Sequence, residues 1–328
     1  LCGKGKWGFD CSVLEGKLTK PLIKDGDKFR ECSYDEAIVL VAKKAESIAT
    51  KYGKDSVAVS ISDRFTNEEA SVIKKLADAM GAKTLCFNHV ESGLKKVLGV
   101  DKSPNTMDEL LSTNVILVFG YIMEKNPVVQ LKLKQAAENG AKIYVINPVG
   151  VEVVNFDFAE KVIYTGNNLD ALKEIAKYLV DEKDNLSLTN LLELKKSLEN
   201  VFVSDEIKEV ASAYNNAKKA MIVFQENVLS VDAATMIGNI ALVSNHIGAP
   251  RDGIVQIKGK NNSQGLVDMG IDKGIEEMAN VKALLCFGED PCVLGDDILD
   301  NLEFVMTVDT HMTDTCKNSN VVLPGSGP

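Results

Sequence analysis

Asn114–Gly120 (NVILVFG) is a nearly unbroken apolar run of strand length, closed by a glycine. Such a strand needs cover on both faces, as in the middle of a parallel sheet. Pro127–Asn139 follows with proline in its first turn and Gly140 behind it, which are the start and stop marks of a helix. Lys142–Asn147 (KIYVIN) then returns as a second apolar strand. Strand, helix and strand at this spacing form a βαβ unit.

The same alternation extends outward from this unit. Toward the N-terminus, Ser56–Ser62 (SVAVSIS) reads as a strand and Thr66–Met80 as a helix stopped by Gly81. Ser33-Tyr34-Asp35-Glu36 has the pattern of a capping box, with the Ser33 hydroxyl taking a backbone N–H and Glu36 reaching back. It opens a helix to about Thr50. Toward the C-terminus, strands are expected at Lys161–Thr165, Ala220–Phe224, Gly253–Ile257, Lys282–Phe287, Phe304–Val308 and Asn320–Leu323. Helices are expected at Leu169–Asp181, Leu188–Ser197, Asp205–Asn215, Val231–His246 and Asp296–Asn301. Residues 1–33 hold five glycines and little periodicity, and read as an irregular arm with short strands. The fold class is α/β with parallel sheets.

Composition narrows the function classes. The 328 residues fill about two domains, and 45% apolar with 26% charged is the balance of a folded globular chain. Thirty-seven basic against 47 acidic residues give a net charge of −10, which disfavours nucleic acid and anionic membrane as partners. No apolar run approaches the ~18 residues of a spanning helix. The seven cysteines are odd in number and contain no CxxC pair, which points to a reducing, cytoplasmic setting rather than a disulfide scaffold.

Ligands of open parallel sheets lie beyond the C-terminal strand ends. Those ends here read Gly120-Tyr121, Asn147-Pro148, Gly166-Asn167 and Gly288-Glu289-Asp290-Pro291. Turn chemistry accounts for each singly, whereas four together favour a ligand groove. Lys258–Gly265 (KGKNNSQG) adds glycines, amides and two lysines, suited to a polar, phosphate-bearing ligand or to a solvated loop. Gly3–Gly8 matches G-x-G-x-x-G, yet no strand feeds it and no helix is expected to open from it, so the dinucleotide reading is rejected. His89, His246 and His311 make no HxxxH, which argues against a zinc hydrolase. Cys86 and His89 could form a nucleophile pair, and His246 could favour a helix dipole.

An ordered set of strings resembles the molybdopterin oxidoreductases, the family of formate dehydrogenase α-subunits and of the large iron–sulfur subunit of NADH–quinone oxidoreductase. The set runs through LCGKGKWGFD at the start, LTKPLI at Leu18–Ile23, SYDEA at Ser33–Ala37, VFGY at Val118–Tyr121, KGKNNSQGLVDMG at Lys258–Gly270, FGEDP at Phe287–Pro291 and VVLP at Val321–Pro324. It covers nearly the whole chain.

The resemblance implies two Rossmann-like parallel-sheet domains of the formate dehydrogenase/dimethyl sulfoxide reductase kind. One would take residues 34–85 with 260–328, and the other 86–259, after an arm at 1–33 left from an iron–sulfur domain. The implied cofactor is molybdopterin guanine dinucleotide carrying Mo or W. Its holding residues would be Gly120, Tyr121, Asn147, Pro148, Gly166, Asp170, Gly259, Asn261, Asn262, Gln264, Gly265, Gly288, Glu289, Asp290 and Pro291.

Cys86 resembles the residue that binds the metal, and Lys4 the lysine between pterin and cluster. Lys258 stands where formate dehydrogenases carry an arginine. Cys2 resembles the last ligand of a 4Fe–4S cluster whose other three ligands precede it in the family, so that cluster belongs to the full-length protein alone. Both ends look cut, with the iron–sulfur N-terminus and the C-terminal cap domain missing. The implied partners are other members of an electron-transfer complex, with no nucleic acid and no direct membrane insertion.

Four departures matter: Phe87 for a histidine, Lys258 for the arginine, Ile122-Met123 for Asn-Pro, and Val149 for an arginine. Two readings therefore stand. The chain is the core of a formate dehydrogenase-like enzyme, or it is a non-catalytic scaffold that has lost the cofactor.

Overall fold

The computed structural model describes residues 3–8, 16–120, 126–151, 153, 155–183 and 188–326. The strands are β1 (Leu22–Asp25), β2 (Lys28–Glu31), β3 (Val57–Ile61), β4 (Lys83–Leu85), β5 (Val115–Phe119), β6 (Lys142–Pro148) and β7 (Lys161–Thr165). After these come β8 (Ala220–Gln225), β9 (Gly253–Ile257), β10 (Ala283–Phe287), β11 (Phe304–Asp309) and β12 (Val321–Pro324). The helices are α1 (Gly3–Trp7), α2 (Tyr34–Tyr52), α3 (Asn67–Met80), α4 (Gly93–Leu98), α5 (Pro127–Glu138) and α6 (Asn168–Asp181). The remainder are α7 (Leu191–Ser197), α8 (Asp205–Asn215), α9 (Val231–Ser244), α10 (Ser263–Asp268) and α11 (Asp314–Asn318).

The chain divides into two compact units, residues 3–91 with 260–328, and residues 92–259. In the first, strands lie in the order β2-β1-β12-β11-β10-β3-β4. From β12 to β4 every neighbour is parallel, and β1 and β2 add an antiparallel edge. That hairpin is closed by Gly26-Asp27, with Gly26 at φ +60°, a backbone that favours glycine. In the second unit the order is β7-β6-β5-β8-β9, all parallel. Every residue of β3, β5, β8 and β9 is buried, so apolar side chains on both faces are covered.

Local chemistry sets the helix ends. Thr66 and Glu69 form a reciprocal capping box at α3, and Gly81 ends that helix in the left-handed region. Ser33 accepts the Glu36 N–H at α2, but Glu36 does not reach back: its carboxylate pairs with Arg30 at 2.5 Å. The helix expected over 231–246 ends at Ser244, where Asn245 turns left-handed at φ +63°. The one expected over 188–197 begins at Leu191, and Asp296–Leu299 is a single 3₁₀ turn. A short helix does form at Gly3–Trp7, contrary to the expectation from the glycine pattern. His246 does not sit free at a helix end. It is buried, with Nδ1 2.6 Å from Asp252 Oδ1 and Nε2 2.9 Å from the Tyr214 carbonyl.

α9 is apolar almost all round and runs through the core of the second unit against α4 and α6. Its fit against α4 depends on Gly93, where a Cβ would stand 2.2 Å from the Val231 carbonyl oxygen and 2.6 Å from the Thr235 nitrogen. Those atoms are backbone and cannot step aside. Gly93→Ala is therefore expected to cost about 1 to 3 kcal/mol through overpacking, read as a lower urea midpoint with an unchanged m-value.

Candidate functional site

In residues 92–259 the chain moves from β5 outward to β6 and β7, then returns to the other side of β5 for β8 and β9. The reversal falls between β5 and β8, and the strand ends at such a reversal are where ligands enter open α/β sheets. Gly120 ends β5 at φ +86°, and a Cβ there would meet Val228 at 3.5 Å and Gln225 at 3.8 Å. Gln225 ends β8, is 2% exposed, and its Oε1 meets no hydrogen-bond donor among the described residues. On β6, Asn147 is 1% exposed and its Oδ1 is likewise unmet, with Pro148 as the last residue of the strand. Buried amide oxygens without donors are rare and costly, and these two lie at strand ends on either side of β5.

Other expected holding residues have local work. After β7, Gly166 faces open space, whereas Asp170 is tied to the cap of α6: Asn167 Oδ1 accepts its N–H at 2.8 Å, and Asn167 Nδ2 donates to its carboxylate at 2.5 Å. Lys258 follows β9 directly, and its Nζ lies 2.8 Å from both Asp101 Oδ1 and Glu226 Oε2. The three side chains are 9%, 3% and 8% exposed. Gln256 Nε2 donates to both carboxylates, which leaves its own Oε1 unmet. Burial raises the Glu226 carboxyl against the pull of Lys258. Gly259, next in sequence, borders open space.

In the first unit the amides of the polar loop turn inward. Asn262 Nδ2 donates to the Phe65 carbonyl at 2.8 Å and to Asn67 Oδ1 at 3.0 Å, and Asn261 Nδ2 to the Arg64 carbonyl at 3.3 Å. The Ser263 hydroxyl donates to Asp63 Oδ2 at 2.6 Å, and Gln264 to Asp268 at 3.0 Å. Gly265 is required by this packing, since a Cβ would stand 2.1 Å from Asn262 Oδ1. Asp63, which no sequence motif marks, holds the loop together, taking Asn88 Nδ2 on its other oxygen at 3.0 Å. Its one signal in the sequence is its place just after the apolar strand β3.

At the end of β10, Gly288 sits at φ +69° and a Cβ would collide with Phe65 at 2.6 Å. Asp290 Oδ1 accepts the Thr315 N–H at 2.9 Å and its hydroxyl at 2.6 Å, and buried Pro291 opens a 3₁₀ turn. Glu289 between them points into the interior, where its Oε1 accepts the Phe87 N–H at 2.9 Å and lies 3.5 Å from Cys86 Sγ. Its Oε2 is buried without a hydrogen bond of regular geometry, as is the Ser60 hydroxyl.

Burial pushes the Glu289 carboxyl up to about 8, despite the opposing pull of Ser60, the Phe87 N–H and the Cys86 thiol. Cys86 is 2% exposed within an apolar cluster, not in the polar setting its neighbours in sequence imply. Burial first, then the nearby Glu289 and Asp63, raise its thiol well above the ordinary range. The His89 N–H bonds the Cys86 carbonyl, and the thiol faces Glu289, so Cys86 is held as a thiol rather than an activated nucleophile.

Lys4 falls in α1, while Cys2 and Tyr121 lie outside the described residues. Cys32, Cys86, Cys286, Cys292 and Cys316 are all unpaired thiols. Among the described residues no three His, Cys, Asp or Glu side chains group to hold a metal ion, and no helix is long and apolar enough to cross a membrane.

A carboxyl raised on folding binds its proton more tightly in the folded chain, so its stabilisation is complete below the ordinary carboxylate range and fades as pH rises toward about 8. Thermal melts from mildly acidic to mildly alkaline pH should show stability falling by as much as about 1.4 kcal/mol per pH unit in that window, and Glu289→Gln should flatten the slope.

Residues 17–327 match the family model described as molybdopterin oxidoreductase. The F420-dependent formate dehydrogenase 2 subunit alpha of Methanococcus maripaludis is 27% identical over 397 aligned residues, covering 99% of this chain and 58% of that protein. Formate dehydrogenase H of Escherichia coli is 26% identical over 406, covering 99% of this chain and 57% of its own length. Among solved structures, acetylene hydratase from Pelobacter acetylenicus superposes with a TM-score of 0.70 at 16% identity, over 99% of this chain and 57% of that one, a likeness of fold. The chain thus spans a little over half the length of these relatives. With two parallel-sheet units, unmet amides at the strand ends and a family match over nearly all its length, this chain belongs to the molybdopterin oxidoreductases.

Proposed function

We propose that the chain is the cofactor-holding core of a formate dehydrogenase-like oxidoreductase that works within an electron-transfer complex. The observation that carries this reading is the pair of unmet amide oxygens, on Asn147 and Gln225, beside Gly120 at the sheet's switch point. A molybdopterin guanine dinucleotide supplies a base with N–H donors, which these oxygens would accept, and Gly120 keeps that strand end free of a side chain. When bound, the group supplies a redox metal, Mo or W, and the iron–sulfur cluster implied by Cys2 needs ligands that this stretch does not contain. The contribution of this chain is to bind and orient the nucleotide end.

Guanosine diphosphate is a direct probe of that end. At ten times its dissociation constant it should stabilise the chain by about 1.4 kcal/mol, visible as a raised melting temperature. Asn147→Leu and Gln225→Leu should each abolish the shift, measured against each variant's own ligand-free melt. Absence of a shift, or one that survives both substitutions, refutes the reading.

A second reading, a scaffold that has lost the metal, is favoured by Cys86. The metal end of the cofactor does not reach this residue as it stands: Cys86 is buried in an apolar cluster with its sulfur 3.5 Å from Glu289 Oε1. Metal and pterin analysis of the full-length protein from its source cells separates the two. Stoichiometric Mo or W with pterin supports the first reading, and a metal-free, pterin-free protein supports the second.

A further inference from the structure

α9 is apolar almost all round, and Asn239 interrupts it in mid-helix. Together with Met236 and Leu242, Asn239 forms one wall of a cavity of about 630 Å³ within residues 92–259. Val97 of α4 and Leu191 and Leu194 of α7 form the other walls. The volume lies in the range of roughly 300 to 1,000 Å³ typical of small-molecule sites. No strand residue lines the cavity, which sets it apart from the strand ends described above. α7 stands off from α9: Leu191, Leu194 and Leu198 recur at helical spacing, yet only Leu198 is fully buried. Asn239 is partly buried, and its side-chain amide makes no hydrogen bond to another described residue. Lys96 and Glu193 flank the cavity with opposite charges, so its rim favours neither an anion nor a cation.

We propose that this cavity is a second ligand site, which takes a small uncharged planar molecule with an apolar body and one amide-type edge, and that Asn239 reads that edge. An asparagine side chain presents a donor beside an acceptor. Another N–H beside a carbonyl satisfies both at once, as asparagine does when it pairs with the edge of a base. A molecule of the same shape without the N–H leaves the Asn239 oxygen unpaired against an apolar wall, which weakens binding. The leucines of α7 supply apolar cover for the body of the ligand. Asn147 and Gln225 take no part in this site, so it stands independently of the nucleotide reading.

Benzamide is the probe, titrated into the wild-type chain and followed by backbone amide NMR shifts. Saturable shifts confined to α4, α7 and α9 are expected, with a dissociation constant on the order of 1 mM for a molecule of about nine non-hydrogen atoms. Acetophenone has the same ring and carbonyl but a methyl group in place of the NH₂, and should bind about tenfold more weakly. Asn239→Ala and Asn239→Leu should each weaken benzamide by about tenfold and remove its advantage over acetophenone. Should one variant fail to fold, the other decides. The proposal is overturned by the absence of saturable benzamide shifts in the wild type, by equal affinity for acetophenone, or by a benzamide affinity unchanged in a folded Asn239 variant. The guanosine diphosphate response and its loss in Asn147→Leu report on the strand ends alone, so the failure of either reading is told from the failure of the other.

Discussion

β5 and β8 lie side by side, with Val115 opposite Ala220 and Phe119 opposite Phe224. Because both strands are apolar and buried along their whole length, polar groups can collect only where they end. The register fixes which groups those are: Gly120 leaves the sheet next to Gln225, and β9 brings Lys258 up beside Glu226 one strand further out. Slipping the ladder by one residue would exchange the side chains that face each core layer, so the apolar packing on both faces enforces the geometry at the ends. The chemistry of the second unit is in this sense a by-product of its core.

The first unit treats its strand ends differently. There the polar residues fold back on their own turn, with Asp63 tying Asn88 to Ser263 and Asn262 holding the Phe65 carbonyl. The result is a loop whose amides and hydroxyl are bonded within the same unit. Glu289 is the exception, an acid placed among apolar side chains where its proton is retained, and it sits against the one thiol that the family resemblance singles out for the metal. A buried carboxylic acid beside a thiol favours the neutral form of both.

The legible part of the sequence was the part governed by local pattern. NVILVFG, KIYVIN and the Ser33 and Thr66 caps reveal the alternation of strands and helices because periodicity and capping act within a few residues. The short elements were harder. α4 is six residues long and gives little periodicity, and α10 hides inside a polar run. The partners of Lys258 lie 157 and 32 residues away, so its lysine-for-arginine change was visible while its neutralisation was not. Cys86 shows the same limit: its neighbours in sequence are polar, and its neighbours in space are apolar.

The cysteines are divided unevenly between the two units. Residues 92–259 contain none, while Cys86, Cys286, Cys292 and Cys316 are all buried in the first unit. A thiol reagent therefore reaches these sulfurs only when that unit opens, and the second unit stays silent to it. Labelling of these four sulfurs, as distinct from the partly exposed Cys32, follows the breathing of that unit.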